Sequence, residues 1–236
     1  MDFQTLVDTD AVGIKIEHDE AVMMLGSCFA EDVGNLLKRS MLALCINPFG
    51  TLYNPRSIAQ SLRRLMADLP FSADELVAYG NLWHSMSHHS RFSSVDKDRA
   101  LQKINAAYAE GVACLRSARH LIVTFGTAYT FSTADGETVA NCHKMPASMF
   151  NRRMLSANEI ADEWIPLIDD IRKFNPHIDI TFTVSPVRHL ADGAHGNQLS
   201  KSTLLLAVDS IMAQRPGVCH YFPSYEIMLD QLRDYR

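Results

Sequence analysis

A serine set directly behind an apolar run and in front of a helical pattern is placed to attack an electrophile. Ala21-Val22-Met23-Met24-Leu25 breaks at Gly26-Ser27, and Cys28-Phe29-Ala30 opens a helix that runs through Asn35 and Leu36-Leu37. A hydroxyl there meets free backbone N–H groups and the positive end of the helix dipole, both of which favour a developing anion. An acyl-transfer nucleophile needs those surroundings. The plainer alternative, equally open, is that Ser27 caps the helix. Cys28 stands beside it, but an adjacent helix residue points elsewhere, and a buried thiol is the expectation there.

A serine hydroxyl is a weak nucleophile at neutral pH unless a group accepts its proton, and histidine is the side chain that titrates there. His143 lies at the exit of a hairpin pattern, and His189 follows Ser185-Pro186-Val187-Arg188 just past an apolar run. His189 is the one expected nearest Ser27. Asp192-Gly193-Ala194-His195 spells Asp-x-x-His, but it follows the fourth strand pattern and reads as coincidence. For each of these histidines a loop or hydrogen-bonded structural role is the alternative. His84, His88 and His89 form a dense group, and the spacing of His84 and His88 could put two imidazoles on one helical face for zinc. No acidic ligand stands at a fixed spacing, and the segment does not read as a helix, so substrate binding by His88 and His89, or packing, is the reading preferred over metal. Arg188 and Lys201, near strand ends, could hold an anionic or sugar-acid group, with solvated surface charge as the alternative.

These side chains need elements to hold them. Short apolar runs ending in Gly, Pro or Ser, each followed by a helical pattern, recur along the chain, as parallel strands with crossover helices do. The strands end at Leu25, Ile46, Phe125, Val184 and Phe222. Helices are expected from Pro55 to before Pro70, with Ile58, Leu62, Leu65 and Met66 as the apolar face, and from about Asp98 to Arg116. Ser156 with Glu159 forms a capping box for a helix to Lys173, and Ser200 to Gln214 is a further helix. Tyr129 to Asn141 alternates like a hairpin around Asp135-Gly136. The stretch 70–97 reads as irregular, a lid-like insertion that should cover the Ser27 edge. Five parallel strands with helices on both faces make a three-layer α/β/α sandwich in a single domain over 1–236, with ligands at the carboxyl ends of the strands.

With 236 residues and 47% apolar content the chain can bury a sizeable core. The net charge of −5 offers no basic field for phosphate backbones or anionic lipid, so nucleic acid and membrane are not expected partners. No stretch approaches the roughly 18 apolar residues of a membrane span, and the start has no signal pattern. Five scattered cysteines, mostly in apolar segments, suit buried thiols in a reducing compartment, and the expected location is the cytoplasm.

Gly26-Ser27-Cys28-Phe29-Ala30 spells the name of a family that the chain resembles, the GSCFA family, itself similar to the SGNH/GDSL hydrolases. The resemblance extends through Asn47-Pro48-Phe49-Gly50-Thr51-Leu52-Tyr53-Asn54, Trp83-His84, His88-His89-Ser90-Arg91-Phe92, Thr124-Phe125-Gly126, Ala140-Asn141-Cys142-His143-Lys144, Ser185-Pro186-Val187-Arg188-His189, Ser200-Lys201 and Tyr221-Phe222-Pro223-Ser224-Tyr225-Glu226. It implies a flavodoxin-like sheet, Ser27 as nucleophile, and backbone N–H groups of Ser27 and Gly50 as oxyanion donors. SGNH enzymes add an asparagine from Gly-x-Asn-Asp after the third core strand, where this chain reads Gly126-Thr127-Ala128-Tyr129; Asn141 is the candidate substitute, or a turn asparagine. They also place the base in an Asp-x-x-His block after the last strand, and similar sequences continue into one past the equivalent of Arg236. The expectation is a truncated chain without an internal histidine that meets Ser27. The implied activity is hydrolysis or acyl transfer on an O-acyl ester, a carbohydrate ester by analogy, without cofactor; a non-catalytic ligand-binding module is the rival, and metal chemistry at His84, His88 and His89 the third.

Overall fold

A computed structural model describes residues 5–9 and 14–233. In chain order the elements are β1 (Ala21–Gly26), α1 (Cys28–Arg39), β2 (Ala43–Ile46), α2 (Pro55–Ala67), β3 (Leu76–Tyr79), β4 (Leu82–Ser85), α3 (Lys97–Ser117), β5 (His120–Phe125), β6 (Tyr129–Ser132), β7 (Thr138–Val139), β8 (Asn151–Met154), α4 (Ala157–Phe174), β9 (Asp179–Val184), α5 (Gly193–Gln214) and β10 (Cys219–Tyr221). The central sheet has the order β10-β9-β5-β1-β2, and every pairing in it is parallel. Parallel strands need crossover connections and bury both faces, which is why they read in sequence as unbroken apolar runs.

The sandwich has three layers, and they are unequal. Met23, Leu25, Leu121, Val123, Phe125, Ile180, Phe182 and Val184 face one way and form one core with the inner sides of α2, α3, α4 and α5. Trp164 of α4 sits at its centre, edge-on to Phe125 and Phe182. The opposite face carries α1, whose Gly34 packs under Ile46 and Met24. Beside α1 a groove of about 470 Å³ runs over Met24, Ile122 and Thr181, walled by Phe29, Val33, Leu37 and Phe222.

Three features differ from the sequence reading. The stretch 70–97 is not irregular throughout: β3 and β4 form an antiparallel hairpin turning at Gly80. The expected hairpin of β6 and β7 gains a third strand, β8, paired antiparallel to β6. The last long helix begins at Gly193, seven residues before Ser200, so Asp192 and His195 flank a helix start. The capping box of Ser156 and Glu159 is formed as expected.

Candidate active site

β1 ends at Gly26, whose φ of +143° and close approach to the Thr124 carbonyl leave no room for a Cβ. The chain then turns into α1 with Ser27 at the helix N-cap. Ser27 is 1% exposed, and its hydroxyl makes no capping bond and has no hydrogen-bond partner among the described residues. A buried hydroxyl without a partner is uncommon and calls for an explanation, with function as one of the standard ones.

The turn after β2 locks this corner. Asn47, in the left-handed region at φ +48°, accepts the Gly26 N–H on Oδ1 at 2.8 Å, and Leu52 N–H donates to the Gly26 carbonyl at 2.9 Å. The Asn47 amide nitrogen is buried without a partner among the described residues. Both N–H groups expected as oxyanion donors are engaged within the fold: Gly50 N–H donates to the Asn47 carbonyl at 2.7 Å, and Ser27 N–H to Thr124 at 3.3 Å. The open donors at this corner are those of the first turn of α1, which a helix start leaves without intrahelical partners. Asn141 closes a turn by accepting the His143 N–H at 2.8 Å, and it is its neighbour Ala140 that lines the nearby cavity.

That cavity, about 620 Å³, opens at the carboxyl edge of the sheet. Cys28, Tyr53, Tyr129, Phe131, Arg188 and His189 are in its lining, together with the Arg152–Asp192 ion pair. Ser27 is not in the lining; its neighbour Cys28 is. His189 stands edge-on to Tyr53 at 5.7 Å, and burial together with the nearby Lys201 charge holds its pKa below the ordinary value, which keeps the imidazole neutral. His195 is exposed on α5. The Arg152 guanidinium lies 3.8 Å over the Tyr129 ring.

Lys201 departs most from its expected place. It is fully buried, with Nζ donating at 2.6 Å to the carbonyls of Gly126 and Ser185, so it offers no surface to a ligand directly. His88 is likewise sealed. It stacks on Phe49 at 4.7 Å, meets Phe71 and Phe92 edge-on, and its burial pushes its pKa down to about 3. His89 rests on the Gly50 turn, where its N–H donates to Phe49 O and any Cβ on Gly50 would overlap it. Arg91 extends this contact to Asn47 O and to Glu31 of α1.

The zinc reading is overturned. His84 lies on β4 and not on a helix, its nitrogens contact Ser93 Oγ and Tyr79 O, and His88 Nδ1 contacts Ser85 Oγ. Among the described residues no group of three or more His, Cys, Asp or Glu side chains is placed to hold a metal ion. Nor is any helix of the described residues long and apolar enough to cross a membrane. Sequence reasoning missed Asn47 and the burial of Lys201. Asn47 had a signal, since asparagine before a Pro-Phe-Gly turn suits left-handed backbone.

The model of the GSCFA family matches residues 21–236. No curated protein matches the chain. Among solved structures it is similar to an acetyl xylan esterase from the rumen bacterium Butyrivibrio proteoclasticus, with 11% identity and a TM-score of 0.32, over 89% of this chain and 56% of that one. The chain thus spans little more than half the length of that structure.

Proposed function

The chain belongs to the GSCFA family, and from that footing we propose that it is a serine acyl hydrolase acting on O-acyl esters through Ser27. The observation that carries this is the Ser27 hydroxyl, buried at a helix N-terminus that it does not cap and bonded to nothing described. In the reaction Ser27 Oγ attacks the acyl carbonyl carbon, the carbonyl electron pair moves onto oxygen, and first-turn N–H groups of α1 face that oxyanion. Collapse expels the alcohol, which takes up a proton, and water then releases the acid. His189 is the proton acceptor that fits best: it lines the cavity that Cys28, the neighbour of Ser27, also lines, and it is held neutral. The segment 83–92 is fixed to the Gly50 turn by His89 and Arg91 and, contrary to the lid expected from the sequence, does not line this cavity. Aromatic faces at Tyr53, Tyr129 and Phe131 beside the Arg152–Asp192 pair suit a sugar ring, so a carbohydrate ester is the proposed substrate class.

The test is hydrolysis of an activated acetyl ester by the purified protein. Ser27→Ala should abolish turnover, and His189→Ala should lower it by about a hundredfold or more. Full activity in Ser27→Ala would end the serine reading; full activity in His189→Ala alone would move proton acceptance to another group. A second reading, a ligand-binding module without turnover, is favoured by the absence of Ser27 from the cavity lining. It requires saturable binding of an acylated sugar with no product released.

A further inference from the structure

A lysine without exposed surface is unusual, because an ammonium leaves water only where other groups replace its hydration. Lys201 of α5 meets that condition with backbone carbonyls: Nζ donates to Gly126 O and Ser185 O, each at 2.6 Å. Among the described residues no carboxylate pairs with it. The two carbonyls belong to the residues that directly follow β5 and β9 at the sheet's carboxyl edge. Gly126 also abuts the candidate nucleophile, since a Cβ built on it would lie 3.2 Å from Ser27 Cβ. The preceding residue strengthens the clamp: Ser200 Oγ accepts the Ala128 N–H at 2.8 Å and meets Thr127 Oγ1 at 3.1 Å. The titratable groups facing the amine are Cys28 of α1 and His189 of the loop after β9, while β5 and β9 present carbonyls. Cys28 and His189 both line the cavity.

We propose that Lys201 is a positioning residue of the Ser27 site: it clamps the turn after β5 against Ser27 and sets a buried positive charge beside the cavity, favouring acyl groups that carry or develop negative charge there. The inference rests on the acyl-transfer reading of Ser27. Burial brings the Lys201 pKa down to about 8, so the charge is present at neutral pH and is lost as pH rises through about 8.

Cys28 reports on that charge without any contribution from Ser27 chemistry. The rate of iodoacetamide alkylation at Cys28, followed by peptide mass mapping at pH 7.5, is compared between wild type, Lys201→Arg and Lys201→Met. Removing the facing cation should slow Cys28 at least about threefold in Lys201→Met, with Lys201→Arg recovering most of the rate. A merely structural role would lower the melting temperature and leave the rate of the folded variant unchanged. Should Lys201→Met fail to fold, the ¹³Cε signals of lysine-labelled wild type take its place: one signal should titrate near pH 8 and vanish in Lys201→Arg. Equal Cys28 rates in folded Lys201→Met and wild type, or a Lys201 signal that shows the amine uncharged at neutral pH, would overturn the proposal. Failure of the serine reading shows separately, as unchanged esterase activity in Ser27→Ala.

Discussion

The Ser27 hydroxyl stands at the start of α1 with no hydrogen bond among the described residues, and that separates two roles for it. A capping serine replaced by alanine costs about 1 kcal/mol, whereas removing a buried unpaired hydroxyl is neutral or stabilising. Ser27→Ala should therefore keep or raise the melting temperature while removing activity, the trade expected where a reactive group is held against stability. A clear drop in melting temperature would return Ser27 to the cap role. His88 gives a second residue-scale outcome. Burial among Phe49, Phe71 and Phe92, with Arg64, His143 and Arg91 nearby, lowers its pKa from 6.5 to about 3. The native state then binds fewer protons than the unfolded state below about pH 6.5, so stability falls as pH drops from there toward 3, by up to about 1.4 kcal/mol per unit. His143, His89 and His189 are shifted in the same direction. Between pH 7 and 5 the melting temperature of His88→Phe should fall less than that of wild type; equal falls would mean that His88 is not held neutral.

At the scale of elements, the turns after the strands carry the site. Gly50 and Gly136 both have positive φ, at +78° and +85°, but a Cβ on Gly50 would run into His89, whereas nothing lies within 4 Å of one on Gly136. Gly136→Ala should cost about 1 kcal/mol for the backbone alone, and Gly50→Ala about 3 kcal/mol because the His89 segment must also move. Denaturant unfolding of the two variants reads the difference; equal losses would mean that the 83–92 segment does not rest on the Gly50 turn. The sheet strands were legible because buried parallel strands are continuous apolar runs, and α2, α3 and α4 because their apolar faces recur with helical period. β8 was not, since Asn151, Arg152, Arg153 and Met154 are all exposed and show no alternation. The start of α5 was hidden by Gly193 and Gly196 and by a first turn with little apolar face. Lys201, between Ser200 and Ser202, reads as a surface charge, and only the convergence of the β5 and β9 ends shows why it is buried.

At the scale of the molecule, the fold brings groups from distant stretches to one edge: Ser27 and Cys28 after β1, the Asn47–Gly50 turn after β2, Gly126 after β5 and His189 after β9. A parallel sheet collects its strand ends in this way, and ligands of such sheets lie there. Among the described residues α2, α3, α4 and α5 pack on one face of the sheet and α1 on the other, and the corner that carries Ser27 is steadied by Asn47, Glu31 and Arg91. The central claim is that this edge delivers a reactive serine. It is tested most directly by treating the folded protein with a fluorophosphonate and mapping the adduct by peptide mass spectrometry. One stoichiometric adduct is expected on Ser27, lost in Ser27→Ala and after heat unfolding; no adduct, or one at another residue that persists in Ser27→Ala, would refute the serine reading.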